Sequence, residues 1–292
     1  MSEDDPFSNC MVDDEAPPPP SRLSETSTHT VQLSPPVRSI PPDSEFAHLK
    51  LAPFPFTNRV MCPVCGHGCI SYCPMCMTPL PQYPPPPVQL PIRMDIIHHP
   101  KEKKVKSTAV HAIALCPTQA SMWEFPTIPS FDPSETLFLY PSKDAKRLTE
   151  LDLTQYKRAV FVDSTWPQSK VICADPKLQS LTKVSIDTHK TLFWRCQDEP
   201  PEFLATIEAI YFFYKAFIEA QNGGIYNGEV DNLLWYYVFQ YEYIQGLFTE
   251  DTKKEVSHKL DPNYFRGRKH IEDNTEKHEI ETKEEKETEE RG

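Results

Sequence analysis

Short apolar runs, separated by segments with helical periodicity, are the feature that most constrains the fold of this chain. Thr136–Tyr140 and Ala159–Val162 are apolar at almost every position, which is typical of strands buried on both faces of a parallel sheet. Leu90–Ile97, Lys183–Asp187 and Thr191–Arg195 are three further candidate strands. Because candidate strands alternate with helical segments, the pattern predicts an α/β domain.

Two segments near the end of this region have the periodicity of helices. Pro201–Ala220 carries apolar residues every three or four positions and begins with prolines and acids, which favours a helix start there. Asp231–Phe248 is strongly aromatic, and Asp231 or Asn232 is a candidate N-cap. We therefore place the main domain at about residues 89–248.

The regions outside this domain have a different composition. Residues 1–58 are rich in Pro, Ser and Thr without apolar periodicity, which predicts a disordered tail, most simply a spacer. Residues 81–88 contain four consecutive prolines and are expected to form a stiff linker. Residues 249–292 form a charged tail. The acidic runs at 1–20 and 270–292 account for the net charge of −12, so polyanion binding by the body is not excluded.

Five of the nine cysteines lie within fifteen residues, and four of them form two C-x-x-C pairs. Four thiolates at this spacing, Cys62, Cys65, Cys73 and Cys76, can converge on one zinc ion. A redox pair is the alternative, but two pairs so close together favour a structural zinc module at residues 59–80. His67 and Cys69 could substitute as ligands, although their simpler interpretation is that of loop residues.

No export or membrane segment is expected from the sequence. The first residues are acidic and lack the charged and then apolar pattern of a signal peptide. No apolar stretch approaches the roughly 18–20 residues that a membrane-spanning helix needs. We therefore expect no membrane partner.

An acid, two small hydroxyl residues and an indole directly follow the most apolar candidate strand. They are Asp163, Ser164, Thr165 and Trp166. Ligands of open α/β sheets bind at the carboxyl ends of strands, so this segment is a candidate site. The alternative is that Ser164 or Thr165 only caps the following helix, with Trp166 in the core.

The residues from Asp163 to Trp166 match the D-x-T-W signature of the DTW-domain family, which this chain resembles. Other blocks that resemble the family, in the same order, are Cys62–Cys76, Asp95–His98 through Lys106–Thr108, Phe138–Pro141, Thr191–Arg195 with Leu204–Tyr211, and Asp231–Leu234. The resemblance is greatest to an animal branch of the family. It implies a parallel-sheet α/β domain of the knotted SPOUT type behind a small zinc ribbon.

The resemblance also implies an activity. Members of this family transfer the 3-amino-3-carboxypropyl group of S-adenosylmethionine (SAM) to N3 of uridine in tRNA and release 5′-methylthioadenosine. The expected partners are therefore SAM and tRNA, and the expected compartment is the nucleus. The alternatives are a non-catalytic zinc-ribbon module that binds RNA or protein, and a SAM-dependent RNA methyltransferase.

The chemistry assigns roles to the matching residues. Asp163 is the candidate base for the N3 proton, because an imide attacks poorly while protonated; it could instead bind the ribose of SAM. Trp166 is suited to form an apolar wall around the SAM methyl group. The expected SAM-binding residues are Thr108, Pro141, Asp163, Ser164, Thr165, Trp166, Arg195, Thr206 and Glu208.

Three of these residues invite specific expectations. Thr108 would hold the SAM carboxylate. Thr206 and Glu208 open a helix, where backbone N–H groups favour anions, although Glu208 could equally serve only to complement the helix dipole.

A basic stretch and an aromatic residue are candidates for RNA contact. Lys101, Lys103, Lys104 and Lys106 lie together with His98 and His99, which favours phosphate binding over a merely solvated loop. Trp194 could stack on an exposed uracil.

Overall fold

The computed structural model describes residues 40–55, 59–193 and 202–247, with backbone only for 245–247. The strands in these residues are β1 (Val60–Met61), β2 (Gly68–Cys69), β3 (Tyr72–Cys73), β4 (Thr78–Pro79), β5 (Arg93–His98), β6 (Ala120–Glu124), β7 (Thr136–Leu139), β8 (Lys146–Arg147), β9 (Arg158–Asp163) and β10 (Thr182–Ser185). The helices are α1 (Ala109–Leu115), α2 (Trp166–Cys173), α3 (Pro176–Gln179), α4 (Thr206–Gln221) and α5 (Trp235–Leu247). Short 3-10 turns occupy Glu45–His48, Leu148–Glu150, Leu153–Gln155 and Asp231–Leu234.

Six of the strands form one sheet in the order β6-β5-β9-β7-β10-β8, and every neighbouring pair is parallel. The sheet is buried on both faces, as the apolar runs predict. Ile96 and Phe161 pack in the core that contains α1, α4 and α5. Ile97 and Val160 pack in a second core with residues of α2 and α3. The α/β class with a parallel sheet is therefore confirmed.

The chain reverses its winding direction between β5 and β9. From β5 the chain passes through α1 to β6, the edge strand next to β5. From β9 it passes through α2 and α3 to β10, which lies in the opposite direction across the sheet, beyond β7. Diverging connections of this kind leave a crevice at the carboxyl ends of the two strands, which is where α/β sheets bind ligands. His98 and Asp163, the last residues of β5 and β9, are directly paired at this position.

Residues 40–55 depart from the expected disordered tail. Phe46 and Leu49 are buried in the core. Two backbone N–H groups of the segment, those of Lys50 and Ala52, donate to the side chains of Asp231 and Asn232. The partners of this segment lie about 180 residues away in the chain. Its order therefore depends on distant contacts, which a local sequence pattern does not reveal.

Three other expectations need correction. Residues 191–193 are not a strand but an irregular segment, because the Glu208 side chain takes the Leu192 N–H that a ladder would need. The long helix begins at Thr206 rather than near Pro201. The last helix begins at Trp235 after a 3-10 turn, since Asp231 and Asn232 bind residues 50 and 52 instead of capping it.

The cysteine-rich module forms two small antiparallel hairpins, β1-β2 and β3-β4. Gly66 adopts a positive φ of 72°, the conformation that glycine favours and that the first turn requires. Tyr72 lies against His111 and Tyr236, so the module packs directly on the main domain. Among the described helices, none has both the length and the apolar character needed to cross a membrane.

Candidate functional site

Asp163 lies at the centre of a hydrogen-bond network at the carboxyl ends of β5 and β9. Its Oδ2 accepts from His98 Nδ1 at 2.6 Å and from Ser107 Oγ at 2.7 Å. Its Oδ1 accepts from Thr206 Oγ1 at 2.7 Å. The carboxylate, only 5% exposed, therefore ties together two strands, the loop before α1 and the first residue of α4.

His98 lies between two hydrogen-bond acceptors, an arrangement that favours its protonated form. Nδ1 faces the Asp163 carboxylate, and Nε2 lies 3.0 Å from the carbonyl oxygen of Glu102. Because a carboxylate and a carbonyl oxygen both accept hydrogen bonds, the protonated ring, in which both nitrogens donate, fits this environment. Burial by itself would lower the pKa of His98, but the hydrogen bond and charge of Asp163 raise it, and the net shift is upward. His98 is buried and so does not belong to the solvated basic stretch.

A cleft of about 290 Å³ opens beside this network, close to the lower end of the usual size of small-molecule sites. Its walls come from the residues that follow β7, β9 and β10 and from the first turn of α4. Four of the predicted SAM-binding residues line it, namely Pro141, Ser164, Trp166 and Thr206. The cleft therefore forms where the strand ends of the sheet and a helix N-terminus converge.

Two of the lining side chains are free to meet a ligand. Ser164 Oγ is buried and has no hydrogen-bond partner among the described residues, so a polar ligand atom would satisfy it. Trp166 begins α2, is 44% exposed and meets Phe203 edge to face at 5.0 Å. Together they provide one polar group and one large apolar surface.

Asp163, Thr108 and Thr165 are not among the cleft-lining residues. Thr108 is buried, and its Oγ1 accepts from the Ile207 N–H at 3.3 Å at the start of α4. Thr165 is the N-cap of α2, and its N–H donates to Gln168 Oε1. The positions of Thr108 and Thr165 at helix starts favour helix-starting roles over direct contact with a ligand.

Glu208 is fully buried, away from the cleft surface. Its two oxygens accept four hydrogen bonds, from the Thr191 hydroxyl, the Leu192 N–H, the Ala205 N–H and the Tyr237 hydroxyl. Burial raises the pKa of this carboxyl, and the four donors oppose that rise. Glu208 therefore joins the 191–193 segment to α4 and α5 rather than contacting SAM.

The structure adds a cleft residue that the sequence analysis did not identify. His189 follows β10, lines the cleft and stacks on Phe212 with ring centroids 3.6 Å apart. Its Nδ1 lies 2.7 Å from Oε2 of Glu45 in the N-terminal 3-10 turn. No motif marks this pair, because the two residues are 144 positions apart.

The four predicted zinc ligands converge. The sulfur atoms of Cys62, Cys65, Cys73 and Cys76 all lie within 4.8 Å of one another, the arrangement that a tetrathiolate site needs. Cys69 is excluded from this set, since its thiol points to the His67 carbonyl oxygen at 3.2 Å.

The predicted RNA-binding lysines lie on the loop between β5 and α1. Lys101 and Lys103 are exposed, whereas Lys104 and Lys106 are half-buried. This loop also carries Ser107 and so borders the Asp163 network. Trp194 and Arg195, the other predicted RNA and SAM ligands, lie outside the described residues.

Comparison with known proteins identifies a family. Residues 70–245 match the DTW domain. The chain is 34% identical over 238 residues to tRNA-uridine aminocarboxypropyltransferase 1 of Mus musculus, covering 65% of this chain and 78% of the mouse protein. It is 32% identical over 246 residues to the protein of the same name from Xenopus laevis, covering 68% of this chain and 83% of the frog protein.

One solved structure also aligns with the chain, the SAM-dependent rRNA:acp-transferase Tsr3 from Vulcanisaeta distributa. The alignment covers 62% of this chain and 96% of that chain, with 14% identity and a TM-score of 0.33. These values are too low to transfer a mechanism.

Proposed function

The chain belongs to the DTW domain family, and we propose that it is a tRNA-uridine aminocarboxypropyltransferase with SAM as the donor. The observation that carries this proposal is the cleft beside the D-x-T-W segment, at the winding reversal of the sheet. Relatives that are 34% and 32% identical over 65% and 68% of this chain carry this activity in their names. The product is 3-(3-amino-3-carboxypropyl)uridine.

The reaction is a nucleophilic substitution at the Cγ carbon of the aminocarboxypropyl group. N3 of uridine loses its proton to a base and attacks Cγ, while the bond between Cγ and sulfur breaks. The electron pair of that bond passes to sulfur, so 5′-methylthioadenosine leaves as a neutral thioether. No acid is needed for the leaving group, and catalysis depends on orientation and on removal of the proton.

The cleft residues have complementary roles in this proposal. Ser164 Oγ offers a hydrogen bond to a polar group of SAM, since it has no other partner among the described residues. The exposed indole of Trp166 shields the SAM methyl group, so that Cγ rather than the methyl carbon faces uridine. Asp163 acts as a positioning residue that holds the Thr206 hydroxyl at the cleft wall.

Zinc is the metal that we propose for the four-cysteine cluster, because four thiolates favour Zn²⁺ and leave no open coordination position. The site then has a structural role. Metal analysis of the purified protein should find about one zinc per chain, and Cys62→Ser should reduce that content. Cys69→Ser, which removes a thiol from the same module but not a ligand, should retain the metal.

The test of the activity is mass spectrometry of nucleosides from tRNA incubated with the purified protein and SAM. The expected product is uridine enlarged by one aminocarboxypropyl group, together with released 5′-methylthioadenosine. Enlargement by a methyl group would identify a methyltransferase, and unmodified uridine would contradict both activities. Trp166→Ala should lower the yield, whereas Val171→Ala, an exposed position on the same helix, should not.

A further inference from the structure

The Glu45 and His189 pair places an oriented imidazole in the cleft. One face of the His189 ring is covered by Phe212, with an interplanar angle of 2°. Its Nδ1 is engaged by the Glu45 carboxylate at 2.7 Å. Two independent contacts therefore fix both the plane and the rotation of the ring.

The hydrogen-bond pattern determines which nitrogen is available. A carboxylate can only accept, so Nδ1 of His189 carries a hydrogen. In the neutral imidazole, Nε2 then holds a lone pair and is a proton acceptor. No hydrogen bond to Nε2 forms among the described residues, and because His189 lines the cleft, Nε2 is the ring nitrogen that we assign to a bound molecule.

The segment that supplies Glu45 is anchored at several points. The Lys50 N–H donates to Asp231 Oδ2 at 2.6 Å, and the Trp235 indole N–H donates to the Ala52 carbonyl at 2.9 Å. Phe46 is 1% exposed and meets Phe212 edge to face. Glu45 is thus held in register with His189, although it lies outside the region that matches the DTW domain.

Three other titratable groups near the cleft, Asp163, Cys173 and Asp187, are less suited to accept a proton. Asp163 is already bound by three donors. Burial raises the pKa of the Cys173 thiol to about 12, so it is not a base near neutral pH. Asp187 is 73% exposed and forms an ion pair with Arg147. Among the described residues that line the cleft, His189 is the one imidazole.

We propose that His189, oriented by Glu45, is the catalytic residue that takes the N3 proton of uridine. The proton moves from N3 to Nε2, the N3 electron pair forms the bond to Cγ, and the bond from Cγ to sulfur breaks with its pair on sulfur. Glu45 stabilises the imidazolium that results, as the third member of a nucleophile-base-orienter arrangement does. This inference rests on the proposed function and names the base for it.

The first test is the His189→Asn variant, in which the amide can keep the hydrogen bond to Glu45 but no group replaces Nε2. Single-turnover transfer at saturating SAM and tRNA should slow by ~10²–10⁴-fold, the usual contribution of a positioned base. SAM affinity, tRNA affinity and the melting temperature should stay close to those of the wild type.

The second test asks whether Glu45 acts through His189. Glu45→Ala should slow the same step, whereas Asp43→Ala, which removes an equal charge from an exposed position two residues away, should not. The double variant with His189→Asn should be no slower than His189→Asn alone, because the two residues contribute to one interaction. Additive losses would show that Glu45 acts independently and would overturn its assigned role.

Two results would overturn the assignment of His189 itself. One is a wild-type single-turnover rate in His189→Asn. The other is a normal rate at saturation with weakened SAM binding, which would make His189 a ligand of SAM. Failure of the proposed function is distinct, because the wild-type protein would then form no aminocarboxypropyl-uridine at all.

Discussion

Asp163 ends one strand of the sheet and His189 follows another, yet they occupy opposite kinds of environment. Asp163 is buried, and its oxygens are bound by three donors from three different parts of the chain. His189 is partly exposed and lines the cleft, with its Nδ1 held by Glu45. A buried group whose oxygens all accept hydrogen bonds stabilises the segments around it. A partly exposed group with one unpaired nitrogen is available for chemistry. The buried region should therefore govern stability, and the exposed region should govern turnover and binding.

The largest effect on stability is expected from Asp163→Ala. The variant leaves a protonated buried His98 and two hydroxyl groups without their acceptor, and removing one partner of a buried ion pair costs about 3–5 kcal/mol of unfolding free energy. Transfer should also be lost, since the Thr206 hydroxyl is no longer held. Urea denaturation and single-turnover rates measure both effects.

Asp144→Ala is the matched control, because that aspartate forms its ion pair at the surface and should change stability little. If Asp163→Ala kept wild-type stability but lost turnover, Asp163 would not have the stabilising role assigned to it here, and it would be the base after all.

Glu208→Gln should have the next largest effect. Each Glu208 oxygen accepts one backbone N–H and one hydroxyl, so the amide NH2 of glutamine must face a backbone N–H in either orientation. A buried donor without its acceptor costs about 1–3 kcal/mol. The melting temperature should fall relative to Glu219→Gln on the same helix. Equal melting temperatures would contradict the assigned role.

The dependence of stability on pH should report on His98. The pKa of His98 is raised in the folded protein. The stability that protonated His98 contributes is therefore fully present below the pKa of about 6.5 that it has in the unfolded chain, and it is lost as the pH rises through the folded pKa. The difference in unfolding free energy between wild type and His98→Gln should therefore shrink as the pH is raised from about 6 towards 9. A difference that grew over this range would have the wrong sign.

The smallest effect on stability is expected from the basic loop. When Lys101, Lys103, Lys104 and Lys106 are replaced by alanine, each of the two exposed positions, Lys101 and Lys103, should change the unfolding free energy by about 0.5 kcal/mol or less, as surface substitutions usually do. The tRNA affinity should fall, and its log–log salt slope should decrease by roughly 0.7–0.9 for each phosphate that the protein no longer neutralises.

SAM binding should be unaffected by these substitutions. Lys101→Ala can be compared directly with Lys146→Ala, an exposed lysine on strand β8 at the edge of the sheet. An unchanged salt slope in the fourfold variant would make the loop a solvated surface without a role in RNA binding.

Local patterns were sufficient to predict much of the sheet. The apolar runs at 136–140 and 159–162 match β7 and β9 to within a residue or two at either end. A strand buried on both faces must be apolar at nearly every position, so its signal lies within a few residues. The D-x-T-W segment and the four cysteines were identified for the same reason, because each is a contiguous or closely spaced motif.

Contacts between distant residues could not be predicted in this way. The 40–55 segment is tied to residues some 180 positions away. Glu208 was predicted to bind SAM from the family resemblance and from its place at the start of a helix, whereas its four donors come from three separate segments. The strand expected at 191–195 illustrates the same limit for residues 191–193. Their apolar side chains satisfy a strand pattern, but the Leu192 N–H is taken by a carboxylate from α4.

The sequence by itself determined the class of the fold, the metal-binding spacing and the position of the signature acid at a strand end. These properties depend on residues that are close together in the chain. Burial in a sheet requires apolar neighbours, and binding of one ion by two C-x-x-C pairs requires closely spaced cysteines. Only the tertiary structure decided that Asp163 is saturated, that Glu208 is sealed away from the cleft and that Glu45 reaches His189. Whether a polar side chain has a partner depends on donors brought close by folding, and no local pattern in the chain records them.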